Sequence, residues 1–261
     1  MYKFKNLMSN PNLNVVEKVE GMRVIEYARD LSVTPSTAIT AYFANEMNVR
    51  KRQLFIELKD NAYTLSAGTM QWTAGDVTVE SGIKGVGDFL GKAMKGVVTK
   101  ESVVKPVYKG NGVIMLEPTY KHILLEDIST WKGGIVLDDG LFLACEDRVK
   151  QNVTMRSNLS SAVLGNEGLF NLKLEGEGYA ALESYVPRSE LIEIKLENDV
   201  LRIDGSFAIA WSATLDFTVE KSTKTLIGSG ITGEGFVNVY KGTGKVLLSP
   251  VGHEAMLTAI K

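Results

Sequence analysis

Gly110-Asn111-Gly112, Gly176-Glu177-Gly178 and Gly242-Thr243-Gly244 follow one another at a constant interval of 66 residues. Each pair feeds an apolar run that stops on a polar residue or proline: Val113-Ile114-Met115-Leu116 before Glu117-Pro118, Ala180-Ala181-Leu182 before Glu183-Ser184, and Val246-Leu247-Leu248 before Ser249-Pro250. Upstream of the last two pairs, Glu167-Gly168-Leu169-Phe170-Asn171 matches Glu234-Gly235-Phe236-Val237-Asn238, with Leu174 as a one-residue insertion. Self-similarity at a fixed period reads as one supersecondary unit repeated, each copy burying its apolar face against its neighbours.

Between the glycine pairs the dominant period is two. Phe170, Leu172 and Leu174 alternate with polar residues, as do Ile192, Ile194 and Leu196, and Leu215, Phe217 and Val219. Such alternation places one row of side chains on a core and the other in water, the pattern of half-buried antiparallel strands. Turn signals fall at Lys59-Asp60-Asn61, Asp138-Asp139-Gly140 and Asp204-Gly205, and the glycine pairs are expected at equivalent hairpin turns. A second element recurs, with Ala67-Gly68-Thr69-Met70-Gln71-Trp72, Asp139-Gly140-Leu141-Phe142 and Asp204-Gly205-Ser206-Phe207 as its three copies. The sequence therefore predicts an all-β chain of three related antiparallel β units. An N-terminal extension (1–49) packs on the β body, followed by unit 1 (50–118, with a glycine-rich insert at 82–96), unit 2 (119–186), unit 3 (187–250) and a C-terminal tail (251–261). Thr34-Pro35-Ser36-Thr37 reads either as the start of a short helix running through Ala38 to Phe43 or as an extended segment, and its Thr, Ile and Tyr content favours the extended form.

Hydrophobic residues at 44% and charged residues at 23% are values of an ordinary globular chain. A net charge of −2 gives no electrostatic case for nucleic acid, and no nucleic-acid partner is expected. The single cysteine, Cys145, rules out an internal disulfide. The N-terminus lacks the apolar stretch of a signal peptide, and no apolar run approaches the about 20 residues that span a bilayer. A cytoplasmic location is the expectation.

Residues that could carry chemistry are few. His122 and His253 lie far apart, which argues against the clustered histidines of a cupin-type metal site. Cys145 sits in the apolar run Phe142-Leu143-Ala144 and reads as a core residue. Glu167, Glu234, Asn171 and Asn238 recur, as turn residues do when their side chains cap exposed backbone groups. Gly228-Ser229-Gly230-Ile231-Thr232-Gly233 lacks the Lys-Ser/Thr of a phosphate loop. The basic run Val49-Arg50-Lys51-Arg52-Gln53 reads as a solvated turn between strands. No catalytic residue, metal or cofactor is expected.

One stretch stands outside the period. From 82 to 105 the chain carries five lysines against Asp88 and Glu101, and Phe89, Leu90, Ala93 and Met94 fall on one helical face. Phe89, Leu90, Lys92, Met94 and Lys95 make a candidate interaction surface for a membrane or a protein partner.

Gly85-Val86-Gly87-Asp88-Phe89-Leu90-Gly91-Lys92, Gly165-Asn166-Glu167-Gly168-Leu169-Phe170-Asn171 and Gly233-Glu234-Gly235-Phe236-Val237-Asn238-Val239-Tyr240 resemble the family named for altered inheritance of mitochondria, the mitochondrial biogenesis family numbered twenty-four. The resemblance runs from about residue 20 to 251 and is to the bacterial branch. It implies a fold similar to the tryptophan RNA-binding attenuator protein and the double-stranded β-helix, together with homo-oligomers, trimers first. It supplies no catalytic residues and no established activity. The preferred reading is a non-catalytic oligomeric scaffold or interaction protein, with a place near a membrane as one option. The alternative is a small-ligand sensor with a pocket between β subunits, and an unrecognised enzyme ranks below both.

Overall fold

The computed structural model describes residues 2–80, 105–155, 170–221 and 236–252. The N-terminal region forms a hairpin, β1 (Leu13–Val19) and β2 (Met22–Tyr27), and a helix, α1 (Ala38–Glu46). Three long strands follow: β3 (Arg52–Leu65), β4 (Met70–Glu80) and β5 (Val107–Leu116). The middle of the chain is cut into shorter pieces, β6 (His122–Asp127), β7 (Ile135–Leu137), β8 (Phe142–Glu146), β9 (Val149–Met155), β10 (Phe170–Gly176) and β11 (Tyr179–Ser184). Last come β12 (Ile192–Asp204), β13 (Ala208–Ser212), β14 (Asp216–Lys221) and β15 (Phe236–Leu248). All pairings are antiparallel, in two sheets. One runs β1-β2-β3-β8-β11-β6 with β5 on β3 and β4 on β5; the other runs β12-β15-β13-β7-β10-β9 with β14 on β15. The chain is all-β, as the alternation predicts.

The extended reading of 34–43 is overturned. Thr34 accepts from the Thr37 and Ala38 amides (3.1 and 2.9 Å) and opens a helical turn, and Asn48, at φ 64°, closes the helix in the left-handed conformation favoured at that end. These end signals outweigh the modest helix propensity of Ile, Thr, Tyr and Phe.

The glycine pairs do not make hairpin turns either. Gly110 and Gly112 lie inside β5, and Gly242 and Gly244 inside β15. Opposite them, β3 and β12 carry bulges at Asp60 (φ 54°) and Asn198 (φ 53°). Bulge and positive-φ glycine together bend two long paired strands without breaking them. A β-carbon on Gly110 (φ 125°) would lie 2.2 Å from the Asp76 carbonyl oxygen. Lys59-Asp60-Asn61 is likewise a mid-strand bulge, not a turn; Asn61 Oδ1 accepts from the Lys59 amide at 2.9 Å. In the middle of the chain the bend goes further. Gly176 ends β10 in one sheet, Tyr179 opens β11 in the other, and Ile128–Gly134 loops out opposite. Ala67-Gly68, Asp139-Gly140 and Asp204-Gly205 do fall at the turns leading into β4, β8 and β13.

The buried apolar side chains form a stack of four clusters. Ile25, Phe55, Val113 and Met115 lie under the N-terminal Leu7 and Leu13. Leu54, Ile56, Tyr63, Leu65, Ile114 and Leu116 meet Ala144 and Ala181. Leu137, Phe142, Cys145, Leu174 and Leu182 meet Ala210 and Leu247. Leu196, Ile203, Trp211, Phe217, Tyr240 and Val246 form the last. Adjacent residues Ala144 and Cys145 thus serve opposite clusters, because successive strand side chains point to opposite faces.

Candidate interaction site

The surface proposed from sequence, Phe89, Leu90, Lys92, Met94 and Lys95, lies outside the described residues, as do Glu167, Glu234 and His253. Within the described residues an apolar surface appears on α1, which sequence reading assigned to an extended segment. Ile39 is 71% exposed, Tyr42 and Phe43 62% each, and Met47, at the helix end, 78%; no side chain of α1 is buried. The spacing of these residues places them along one face. Tyr42 and Phe43 meet edge to face with ring centroids 5.5 Å apart. Pro35 and Thr37 before that spacing, and Asn48 after it, are the sequence signals that point to this helix.

A nine-residue helix is marginal alone. This one is tied down by arginines of the basic run. Arg50 Nε donates to the Asn45 carbonyl (3.4 Å), and Arg52 Nη2 donates to the Asn48 carbonyl and side chain (3.2 and 3.0 Å). Both arginines also hold Glu26. Arg52 Nε lies 2.9 Å and Nη2 2.7 Å from Glu26 Oε2, while Arg50 Nη1 lies 2.9 Å from Oε1. Arg52 is only 2% exposed and Glu26 is buried, so the carboxylate is compensated by two charge-assisted partners. The run 49–53 is therefore no solvated turn. Val49 stays in water, but Arg52 and Gln53 are buried, and Arg52 turns inward because its counter-charge waits on β2, a partner that local sequence does not reveal.

Beside this anchor, Asp30 accepts from the Ser32 amide (3.0 Å), Lys51 Nζ (2.9 Å) and Tyr120 Oη (2.6 Å). Hydrogen bonds from Ser32 first, then Tyr120, hold its carboxyl well below the usual range. His122 opens β6; burial, reinforced by the Arg52 charge, pushes it down to about 4, so it is neutral at pH 7. Cys145 is buried, and desolvation pushes its thiol up to about 12. That suits the core role read from sequence.

The recurring asparagines hold backbone carbonyls, Asn171 that of Leu137 (2.9 Å) and Asn238 that of Gly205 (3.0 Å). They are not counterparts in register: Leu172 faces Leu137, and Asn238 faces Ile203. Counted from the glycine pairs, Leu174 stands where Tyr240 does, so no insertion is needed there. Two further buried carboxylates are fully engaged. Glu126 accepts from Trp131 Nε1 (3.1 Å) and pairs with Arg188, and Glu146 accepts from Arg148 (2.8 Å) and the Tyr179 amide (3.2 Å). Among the described residues no three of His, Cys, Asp and Glu cluster as metal ligands would, and no helix is long and apolar enough to cross a membrane.

Comparison with known proteins adds a family. The family model described as Mitochondrial biogenesis AIM24 matches residues 46–251. An uncharacterized protein of Streptococcus pyogenes is 26% identical over 204 residues, covering 76% of this chain and 80% of its own length. The X-ray crystal structure of a Streptococcus pyogenes protein superposes with a TM-score of 0.60 at 22% identity, over 92% of this chain and 98% of the other. That likeness is one of fold.

Proposed function

The chain belongs to the mitochondrial biogenesis AIM24 family, and on that premise we propose that it is a non-catalytic, oligomeric interaction protein built from three related β units, residues 50–118, 119–186 and 187–250. The observation that carries this reading is the apolar face of α1. Three large apolar side chains of α1, and Met47 just past its end, stand in water on a helix held in place from below by a buried ion pair. Contiguous apolar surface of this kind marks a contact site in soluble proteins. Sequence offers a second surface of similar character at 82–105. The constant interval between glycine pairs supports the division into units, and a homotrimer in the cytoplasm is the assembly and location proposed.

A photo-crosslinking residue at Phe43, introduced into the full chain in cells, tests the contact. Discrete crosslinked species are expected, absent when the same residue replaces exposed Lys59. Equal, diffuse labelling at both positions would overturn the reading.

A further inference from the structure

Inside the chain one strand joint is made twice. Where β8 meets β3, Ser66 N–H donates to the Leu143 carbonyl (2.8 Å) and Asp147 N–H to the Ala62 carbonyl (3.1 Å). Where β13 meets β7, Asp138 N–H donates to the Ile209 carbonyl and Ala213 N–H to the Gly134 carbonyl, both at 2.9 Å. Between these bonds Thr64 faces Cys145 in one joint and Val136 faces Trp211 in the other.

The partner registers identify the counterparts of these edges at both ends of the chain. Tyr63, Ile135 and Leu201 face Tyr108, Leu174 and Tyr240, three partners spaced like the glycine pairs. Thr64, Val136 and Arg202 are therefore equivalent. Met70, Phe142 and Ala208 face Leu116, Leu182 and Leu248, again at that spacing, and each joins its neighbour through a register shift one step on. Thr73, Cys145 and Trp211 are therefore equivalent.

In the two inner joints these edges are filled. At the ends they are open: among the described residues β12 pairs only with β15 and β4 only with β5. Val200 stands where Ala62 and Gly134 stand in the inner joints. Its N–H is met by the side chain of Asp199 (2.7 Å), not by a strand. Thr73 and Arg202 are exposed. The second and third clusters each take buried alanines from the strands of the following unit, Ala144 and Ala181 in one and Ala210 in the other. At the opposite end Trp72 packs on the first cluster and is partly covered by Phe4, ring centroids 5.5 Å apart, with Tyr2 tilted against Phe4 beyond it.

We infer that β4 of one copy pairs antiparallel with β12 of a second copy, Thr73 opposite Arg202, so that chains join head to tail by the joint each already makes twice internally. The inference rests on the three-unit oligomeric reading and specifies its interface. Open strand edges are templates for pairing. A contact between two different edges closes into a ring when the rotation allows and otherwise propagates.

A disulfide reads the register directly. Hydrogen-bonded antiparallel partners hold their Cα atoms about 5.5 Å apart, within disulfide range. The full-length Thr73→Cys/Arg202→Cys variant, with buried Cys145 left in place, is oxidised at micromolar concentration and run on a non-reducing gel. Loss of the monomer band to linked multimers is expected. Mixed single variants should stop at a linked dimer, and Thr73→Cys/Lys195→Cys, off register, should stay unlinked. If native chain scatters light as an oligomer yet the double variant stays unlinked, the β4–β12 pairing is wrong and the oligomeric reading survives. If native chain is monomeric and nothing links, both fall. Equal linking of the off-register variant would also overturn the pairing, as random collision.

Discussion

Strands β8 and β12 show what position in a stack does to a strand. All five residues of β8 are buried, whereas of the thirteen in β12 only Leu196 and Ile203 are. β8 has a strand on each edge, β3 and β11, and a cluster on each face. β12 has one strand neighbour among the described residues and buries one face. Their sequences follow: Phe142-Leu143-Ala144-Cys145 is continuously apolar with small residues, while Ile192 to Leu196 alternates with charges. A strand enclosed on both faces loses the period-two signal that announces a half-exposed one.

The comparison sets an order of stability effects. Arg52→Ala leaves the buried Glu26 carboxylate with only Arg50 and should cost about 3–5 kcal/mol in urea unfolding. Leu137→Ala, in the enclosed third cluster, should cost about 2–5 kcal/mol. Ile203→Ala at the open edge should cost less, and the gap should narrow as protein concentration rises. An equal loss at all concentrations would remove the distinction between inner and outer joints. Gly110→Ala should destabilise by more than the roughly 1 kcal/mol of an ordinary glycine effect, because its β-carbon would meet the Asp76 carbonyl. Gly242→Ala, whose nearest neighbour would be 3.5 Å away, should cost less. Ile39→Ser and Met47→Ser, on the exposed face, should each stay within about 0.5 kcal/mol.

The pH dependence is smaller and has a definite sign. His122 titrates near 4 in the folded chain against about 6.5 unfolded, so between those values the unfolded state binds more protons. Stability contributed by neutral His122 is present above about pH 6.5 and is lost as pH falls toward 4. His122→Gln should flatten the melting temperature across that window. Glu17 acts in the opposite sense near its own range, since burial raises its carboxyl. An unchanged slope in the glutamine variant would show that His122 is not the group responsible.

Much of the fold was legible because it is local. Alternation marked β10, β12 and β14, turn residues marked the entries to β8 and β13, and the recurring element at Ala67-Gly68 marked the entry to β4. The glycine pairs marked real recurrences, but positive φ serves a bend inside a continuous strand as readily as a hairpin, and only the partner strand decides between them. α1 escapes the pattern reading because its β-branched and aromatic residues resemble a strand, while its end signals at Pro35, Thr37 and Asn48 are single residues. The anchor beneath it was illegible for another reason. Glu26 and Arg52 meet only once β2 pairs with β3, so charge along the chain could not show that the basic run turns inward.

Whether the outer edges are filled is decided most directly by hydrogen exchange of the native chain. Residues 200–204 of β12 occupy the place that 62–66 of β3 hold in an inner joint. At micromolar concentration the two segments should be comparably protected, with protection of the alternate amides of 200–204 that face away from β15, and of those of 71–75 that face away from β5, lost on dilution while 62–66 stays slow. If alternate amides of 200–204 exchange as quickly at high concentration as at low, the edges are open to water and the head-to-tail joint does not form.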